Sequence, residues 1–141
     1  MKFYKISLMI LLVASVNQIA FAFSQPPVAA NTCPAENTIT RVGSTYNAPG
    51  GWTGVVQRNA AKIQAFEMAL YKPKDIKFPF KEGELLSCTY KLSNGAHLDL
   101  RLPTTANKAY ITNVKNWKSA YSGNQYDCSE SRLACEFYLS K

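Results

Sequence analysis

Two neighbouring runs of alternating apolar and polar residues constrain the fold more than any other feature of this chain. The first is LLSCTYKL, residues 85–92, and the second is HLDLRL, residues 97–102. Between them lies Asn94-Gly95, a pair that favours the positive φ angles of tight turns. A period of two on both sides of such a pair predicts an antiparallel β-hairpin. Its apolar positions are Leu86, Cys88, Tyr90, Leu92, Leu98, Leu100 and Leu102.

The length of the turn decides how the two strands pair. A two-residue turn at Asn94-Gly95 would place leucines opposite polar residues. A three-residue loop that begins at Ser93 places the apolar residues on one face, because a shift of one residue moves every side chain to the other face. We therefore expect Gly95 in the left-handed conformation, with 90 opposite 98, 88 opposite 100 and 86 opposite 102. The polar face then pairs His97 with Lys91 and Asp99 with Thr89.

The N-terminus has the pattern of a secretory signal peptide. Lys2 and Lys5 precede an apolar run, residues 6–16, and the segment closes on Ala20-Phe21-Ala22. The run is shorter than the roughly 20 residues that a membrane span needs, so we expect no transmembrane segment after cleavage. We expect an exported protein, periplasmic or secreted, divided into a signal peptide (1–22), a flexible N-terminal arm (23–32) and a single domain (33–141).

Four cysteines follow the signal segment, and an even number in an exported chain predicts two disulfides. Three pairings are possible in principle. Cys128 and Cys135 are close enough in sequence for a local bridge, which would leave Cys33 to join Cys88. We prefer this pairing. With one histidine and no Cys-x-x-Cys motif, the sequence offers no metal or cofactor site.

The fold class predicted from these patterns is mainly β, a small antiparallel sheet or sandwich held by two disulfides. One segment, residues 60–71, is ambiguous. Ile63, Phe66 and Leu70 have helical spacing, whereas Phe66, Met68 and Leu70 alternate as in a strand. We favour the strand because the rest of the chain is rich in β patterns; a short helix here would make the domain α+β. The final residues, around Phe137, also alternate as a strand.

His97 and Asp99 are the weak candidates for catalysis. Histidine titrates near neutral pH and is the usual general base, and a carboxylate two residues away on the same strand face could orient it. No Gly-x-Ser-x-Gly motif supplies a nucleophile, and disulfide-bonded cysteines cannot act as thiolates. Glu82 and Glu84 could form a carboxylate pair, although their setting resembles a charged turn. A small secreted hydrolase is therefore an alternative, whereas the sequence as a whole favours a protein that is not an enzyme.

A lysine-rich segment, YKPKDIKFPFK, is the strongest candidate for binding. Cations interleaved with aromatic side chains are typical of contacts with single-stranded nucleic acid or a membrane surface. A solvated loop whose phenylalanines dock on the core is the competing interpretation. The formal net charge of +7 falls to +5 without Lys2 and Lys5, and a basic protein favours anionic partners. No motif for sequence-specific nucleic-acid binding is present. The candidate residues are Lys72, Lys74, Lys77, Lys81 and Phe78.

Aromatic residues elsewhere suggest two further hypotheses. The glycine-rich segment YNAPGGWTG could insert into the active site of another secreted protein, which would make the chain an inhibitor that depends on Trp52. Tyr110, Trp117, Tyr121 and Tyr126 could line a groove, although packing in the core and turns is the commoner role of such residues.

Several short motifs together resemble a known group of proteins. They are Cys33-Pro34, Gly51-Trp52, Cys88-Thr89-Tyr90, the LDLRLP run and the late pair Cys128 and Cys135. The chain resembles the small exported, cysteine-containing domain-of-unknown-function proteins of Gram-negative bacteria. The resemblance implies export, disulfides and a small β-rich fold, and it implies no catalytic residues. We expect a non-catalytic binding or interaction protein whose partner is an anionic surface or an envelope or host protein.

Overall fold

The computed structural model describes residues 30–141, and the predicted signal peptide and most of the predicted arm lie outside this range. Three short 3-10 turns occur, at Glu36–Thr38, Val114–Asn116 and Tyr121–Gly123, and this part of the chain has no α-helix. The ten strands are β1 (Thr40–Val42), β2 (Thr45–Ala48), β3 (Trp52–Val55), β4 (Ile63–Pro73), β5 (Gly83–Leu92), β6 (His97–Leu100), β7 (Lys108–Tyr110), β8 (Lys118–Ala120), β9 (Gln125–Cys128) and β10 (Tyr138–Leu139).

All strand pairs are antiparallel, and they form two sheets. One sheet has the order β1-β2-β3, and the other has the order β10-β7-β5-β4-β9-β8, with β6 also paired to β5. Thr53 in β3 and Arg101 after β6 exchange two backbone hydrogen bonds of 3.0 and 2.8 Å, so the sheets are joined at this edge. The predicted mainly β class, with antiparallel sheets, is confirmed.

The β5–β6 hairpin has the predicted register. Tyr90 lies opposite Leu98 and Cys88 opposite Leu100. Gly95 has a φ of +83°, and its N–H donates to the Leu92 carbonyl at 2.9 Å. The hairpin therefore has the three-residue loop and not the two-residue turn, because the longer loop buries the leucines together. On the other face, His97 pairs with Lys91 and Asp99 with Thr89, as expected.

Residues 63–73 form a strand, which removes the helix that the sequence left open for residues 60–71. The strand is irregular. Phe66 lies opposite Tyr90 and Met68 opposite Thr89, so Glu67 is an extra residue without a partner. Such a β-bulge bends the strand and interrupts the alternation of its side chains. As a result, Glu67 and Met68 both lie on the side of the sheet away from the core.

A second bulge interrupts β5 and corrects one prediction. Leu70 lies opposite Ser87 and Tyr71 opposite Leu85, so Leu86 is the extra residue. Leu85 is 1% exposed and belongs to the core, whereas Leu86 is half-buried on the other face. The expectation that Leu86 shares the core face with Cys88 is therefore wrong. The cause is that the bulge places Leu86 and Ser87 on the same side.

The core lies between the sheets and contains both disulfides. Cys33 joins Cys88, with their Cα atoms 5.8 Å apart, and Cys128 joins Cys135, at 5.5 Å, which confirms the preferred pairing. All four cysteines are at most 1% exposed. Large aromatic side chains fill most of the remaining space, and each buries about 150–250 Å² of surface. Those fully buried are Tyr46, Tyr71, Tyr90 and Phe137.

The first and last described segments are fastened to each other. Asn31 and Phe137 exchange backbone hydrogen bonds of 2.7 and 3.0 Å. Arg132 donates to the hydroxyl of Thr32 at 3.0 Å and to the carbonyl of Cys33 at 3.1 Å. The chain that leads into the first disulfide therefore packs against the C-terminal segment, which includes β10.

Candidate functional site

The lysine-rich segment forms the tip of the long hairpin made by β4 and β5. We call residues 74–82 the hairpin tip. Its base is closed by the Lys74 N–H, which donates to the Glu82 carbonyl at 2.9 Å. Asp75 accepts a hydrogen bond from the Lys77 N–H at 2.9 Å, and the Phe78 N–H donates to the Asp75 carbonyl at 3.2 Å. The tip is therefore an ordered pair of turns.

The two phenylalanines of the tip have different environments. Phe80 packs against Tyr126, with ring centroids 4.7 Å apart, and against Tyr71, at 6.4 Å. Phe78 is 64% exposed, and Ile76 beside it is 70% exposed. The competing interpretation was that the phenylalanines of this loop dock on the core. It holds for Phe80 and not for Phe78. Pro79 separates them, and an exposed apolar pair remains at the end of the hairpin.

Exposed lysines accompany this apolar pair, and Lys74 and Lys81 line a concavity together with it. The four predicted lysines, Lys72, Lys74, Lys77 and Lys81, are all exposed. Lys74 forms an ion pair with Glu82 at 2.9 Å. This hydrogen bond and charge lower the pKa of the Glu82 carboxyl, and Lys108 and Lys81 lower it further. Glu82 is thus a counter-ion within a lysine-rich surface.

Glu82 and Glu84 both face lysines. Glu84 lies opposite Lys72 in β4 and opposite Lys108 in β7. Together with Glu82 these side chains line a shallow concavity of about 380 Å³ at the base of the tip. Alternating charges of this kind stabilise neighbouring strands. The lowered pKa of Glu82 is the opposite of what the acid of a glycosidase requires.

His97 and Asp99 line a second concavity, of about 610 Å³, on the face of the large sheet away from the core. We call this the sheet-face concavity. Nδ1 of His97 lies 2.5 Å from Oε2 of Glu67, a position in which the ring N–H donates to the carboxylate. Asp99 accepts hydrogen bonds from Thr89 at 2.6 Å and from Arg101 at 3.4 Å. The carboxylate that orients His97 is therefore that of Glu67 and not that of Asp99.

The floor of the sheet-face concavity combines apolar and polar groups. Met68, Leu70 and Leu86 are half-buried and supply its apolar part. Ser87 also lines it and is only 3% exposed. None of the side-chain hydrogen bonds among residues 30–141 involves the Ser87 hydroxyl, so this group is left open to the concavity. Tyr121, which is 69% exposed, stands at the rim.

Sequence reasoning missed Glu67 as a partner of His97. The two residues lie 30 positions apart, on β4 and β6. Glu67 reaches the polar face only because it is the bulged residue of β4. Nothing in the local sequence marks this bulge. The one signal was the imperfect alternation of residues 63–70, which also made the segment ambiguous between strand and helix.

The other aromatic candidates do not form a common groove. Trp52 is 6% exposed and packs edge-on against Phe137, at 6.4 Å between centroids. An inhibitor that used Trp52 as its anchor would have to unpack it from the core. Trp117 is buried against Tyr71, and the remaining two rings pack on neighbours: Tyr110 on Tyr138 and Tyr126 on Phe80.

Between residues 30 and 141, no three histidine, cysteine, aspartate or glutamate side chains come together as metal ligands would. In the same range, no helix has the length and apolar character needed to cross a bilayer.

The fold and the two concavities define a small antiparallel β domain that is fastened by two buried disulfides. Within this class, residues 28–138 match the model of a family described as "Protein of unknown function (DUF3757)". The match covers most of the chain, so the protein belongs to that family. Comparisons with curated proteins and with solved structures returned no match.

Proposed function

We propose that this protein is an exported, non-catalytic attachment domain of the Gram-negative cell envelope that binds anionic lipid surfaces through the hairpin tip. The proposal is supported above all by the exposed pair Ile76 and Phe78, which line one concavity together with the exposed Lys74 and Lys81. Export is supported by the signal-like residues 1–22 and by two disulfides, which persist in oxidising compartments.

The tip has the two components that interfacial binding needs. Apolar side chains that enter the boundary between head groups and acyl chains gain hydrophobic free energy, and basic side chains near anionic lipids contribute about 1 kcal/mol each. Lys77 and Lys81 have no carboxylate within ion-pair distance among residues 30–141, so their charge is available to the surface. A polyanion such as nucleic acid would use the lysines but would gain little from Ile76.

The test is co-sedimentation of the oxidised protein with vesicles of phosphatidylglycerol and phosphatidylcholine across a salt series, compared with vesicles of phosphatidylcholine alone. We expect binding to the anionic vesicles that weakens with salt. The variant I76S/F78S and the variant K77A/K81A should each reduce it by about tenfold, which corresponds to about 1.4 kcal/mol.

Matched control variants distinguish binding through the tip from non-specific effects of exposed charge and exposed apolar side chains elsewhere. Val42 and Val55 are exposed apolar residues elsewhere, so V42S/V55S should bind as the parent does. K91A/K115A removes the same charge away from the tip and should reduce binding far less than K77A/K81A. Equal losses in both lysine variants would overturn the proposal. A second outcome would also overturn it. If the protein does not bind vesicles, but is retained strongly on heparin or single-stranded DNA and I76S/F78S does not weaken that retention, the ligand is a polyanion and not a lipid surface.

A further inference from the structure

We propose that the sheet-face concavity is a binding site for a neutral oligosaccharide. This site is independent of the hairpin tip and shares no residue with it. Its volume of about 610 Å³ falls within the range of about 300–1,000 Å³ that is usual for small-ligand sites. Glu67 and Leu86, the extra residues of two of the three register shifts between β4 and β5, line it, and β-bulges are over-represented beside functional sites because they redirect side chains.

The polar groups of the site suit hydroxyl groups. One edge presents the Glu67–His97 pair, and next to it Thr89 and Arg101 both bond to Asp99. Glu67 is held by one donor and Asp99 by two, and both retain free lone pairs, since an ionised carboxylate offers about four acceptor positions. Sugar hydroxyls, which donate and accept at once, match such arrays of oriented acceptors and donors.

Ser87 places a polar group at the floor of the concavity. The residue as a whole is 3% exposed. Its hydroxyl oxygen is not among the buried atoms of residues 30–141 that lack a partner, which are Asn107 Oδ1 and Trp117 Nε1, so it stays accessible from the concavity. A ligand hydroxyl would form a hydrogen bond with it in place of water.

Tyr121 provides the apolar contact that sugar rings require. Its ring is 69% exposed at the rim, and both Tyr121 and Ser122 have positive φ angles, of 49° and 60°. Non-glycine residues adopt this conformation at some cost, so the turn holds the tyrosine outward at the expense of backbone strain. An exposed aromatic ring can stack on the C–H face of a hexose, while Met68 and Leu70 line the floor.

The charge of the site favours a neutral ligand over an ionic one. Glu67 and Asp99 are each paired with a nitrogen base of the protein, His97 and Arg101 respectively. Both signs of charge therefore line the site. A ligand that carries many charges of one sign, such as a lysine-rich peptide or a phosphorylated compound, would meet like charge there as well as opposite charge.

The test is titration of the oxidised, isotope-labelled protein with cellohexaose, maltohexaose and chitohexaose, followed by amide chemical shifts. We expect at least one sugar to bind with a Kd of about 1 mM or lower and to shift residues of β4, β5 and β6 around the concavity. The substitutions Tyr121→Ala and Ser87→Ala should each weaken binding by about fivefold to tenfold, that is by about 1–1.4 kcal/mol.

Control variants keep the outcome clear. Tyr138→Ala removes a tyrosine that stacks on Tyr110 away from the site, and it should leave sugar affinity unchanged. Tyr121→Phe keeps the ring and should retain most of the affinity, which distinguishes stacking from a purely structural role. The absence of shifts with all three sugars at about 10 mM would overturn the proposal, as would binding that Tyr121→Ala leaves unaltered. Shifts produced only by a lysine peptide would overturn it as well.

Discussion

Glu67 and His97 meet above the strand that separates them. Glu67 lies on β4 and His97 on β6, both strands pair with β5, and the side chains lie 2.5 Å apart on the outer face of the sheet. The His97 side chain is 61% exposed, and that of Glu67 is 28% exposed. Solvent screens such a pair, so its place in the sheet-face concavity matters more than its contribution to stability.

A double-mutant cycle should show directly that the Glu67–His97 pair contributes little to stability. Exposed ion pairs contribute about 0–1 kcal/mol, and we expect the coupling free energy from Glu67→Gln and His97→Ala to stay within that range. Urea unfolding of the two single variants and the double variant measures it. A coupling well above 1 kcal/mol would mean that the pair is a structural element of the fold.

The two phenylalanines of the hairpin tip should differ sharply in their effect on stability. Phe80→Ala removes the contacts with Tyr71 and Tyr126 and should lower the free energy of unfolding by about 2–4 kcal/mol. Phe78→Ala removes an exposed side chain and should change it by no more than about 0.5 kcal/mol. Urea midpoints of both variants at one pH provide the comparison. Similar losses in the two variants would contradict the packing described for Phe80.

The two disulfides should stabilise the domain unequally. Cys33 and Cys88 are 55 residues apart in sequence, and Cys128 and Cys135 are 7 apart. The entropy of closing these loops in the unfolded chain predicts losses of about 4 kcal/mol and about 2 kcal/mol when each pair is replaced by alanine. Thermal or urea unfolding of the two double variants tests the order. If removal of Cys128 and Cys135 cost more, enthalpic strain or packing would have to dominate over loop closure.

Stability should fall in the alkaline range because of buried tyrosines. Burial, with a smaller effect from the charge of Glu82, raises the pKa of Tyr71 from its ordinary value of 10 to about 12, and burial also raises the pKa of Tyr90. The contribution of these two neutral tyrosines to the free energy of unfolding is fully present below pH 10. Above pH 10 the unfolded state releases protons that the folded state keeps, so stability falls as the pH rises toward 12.

Two pKa units correspond to roughly 3 kcal/mol for Tyr71 alone, a loss that is reached in full only above about pH 12. Urea unfolding at about pH 8 and about pH 11 measures the fall. Tyr71→Phe should make the pH dependence shallower, whereas Tyr121→Phe, at an exposed position, should leave it unchanged. An identical decline in both variants would assign the alkaline effect to other groups.

Gly54 should tolerate no side chain. A Cβ atom at this position would lie 2.5 Å from the Asp99 carbonyl oxygen and 2.8 Å from the Leu98 side chain, because β3 crosses closely over β6. We expect Gly54→Ala to lower the free energy of unfolding by about 1–3 kcal/mol. Thr53→Ala, at the exposed neighbouring position, is the control and should have a small effect. A neutral Gly54→Ala would show that the two sheets can separate slightly at this crossing.

The sequence predicted the parts of the fold that depend on regular alternation. The register of β5 with β6 followed from its leucines and from Asn94-Gly95, because only one loop length buries them together. The lysines of the tip lie within eight residues of one another, so their clustering is visible in the sequence, and their role in binding stays a prediction. It did not predict that Phe78 is exposed and Phe80 packed, because that difference depends on Tyr126, nearly 50 residues further on.

The bulges at Glu67 and Leu86 have a consequence for any alignment of this family. Each extra residue reverses which later side chains of its strand face the core and which face outward. The face on which Met68 or Ser87 lies therefore depends on whether the extra residue is present. A relative that lacked one residue in β4 would keep a plausible strand pattern yet turn the equivalent of Met68 toward the core. Gaps of a single residue at these two points, more than substitutions, would show which members of the family have the concave face.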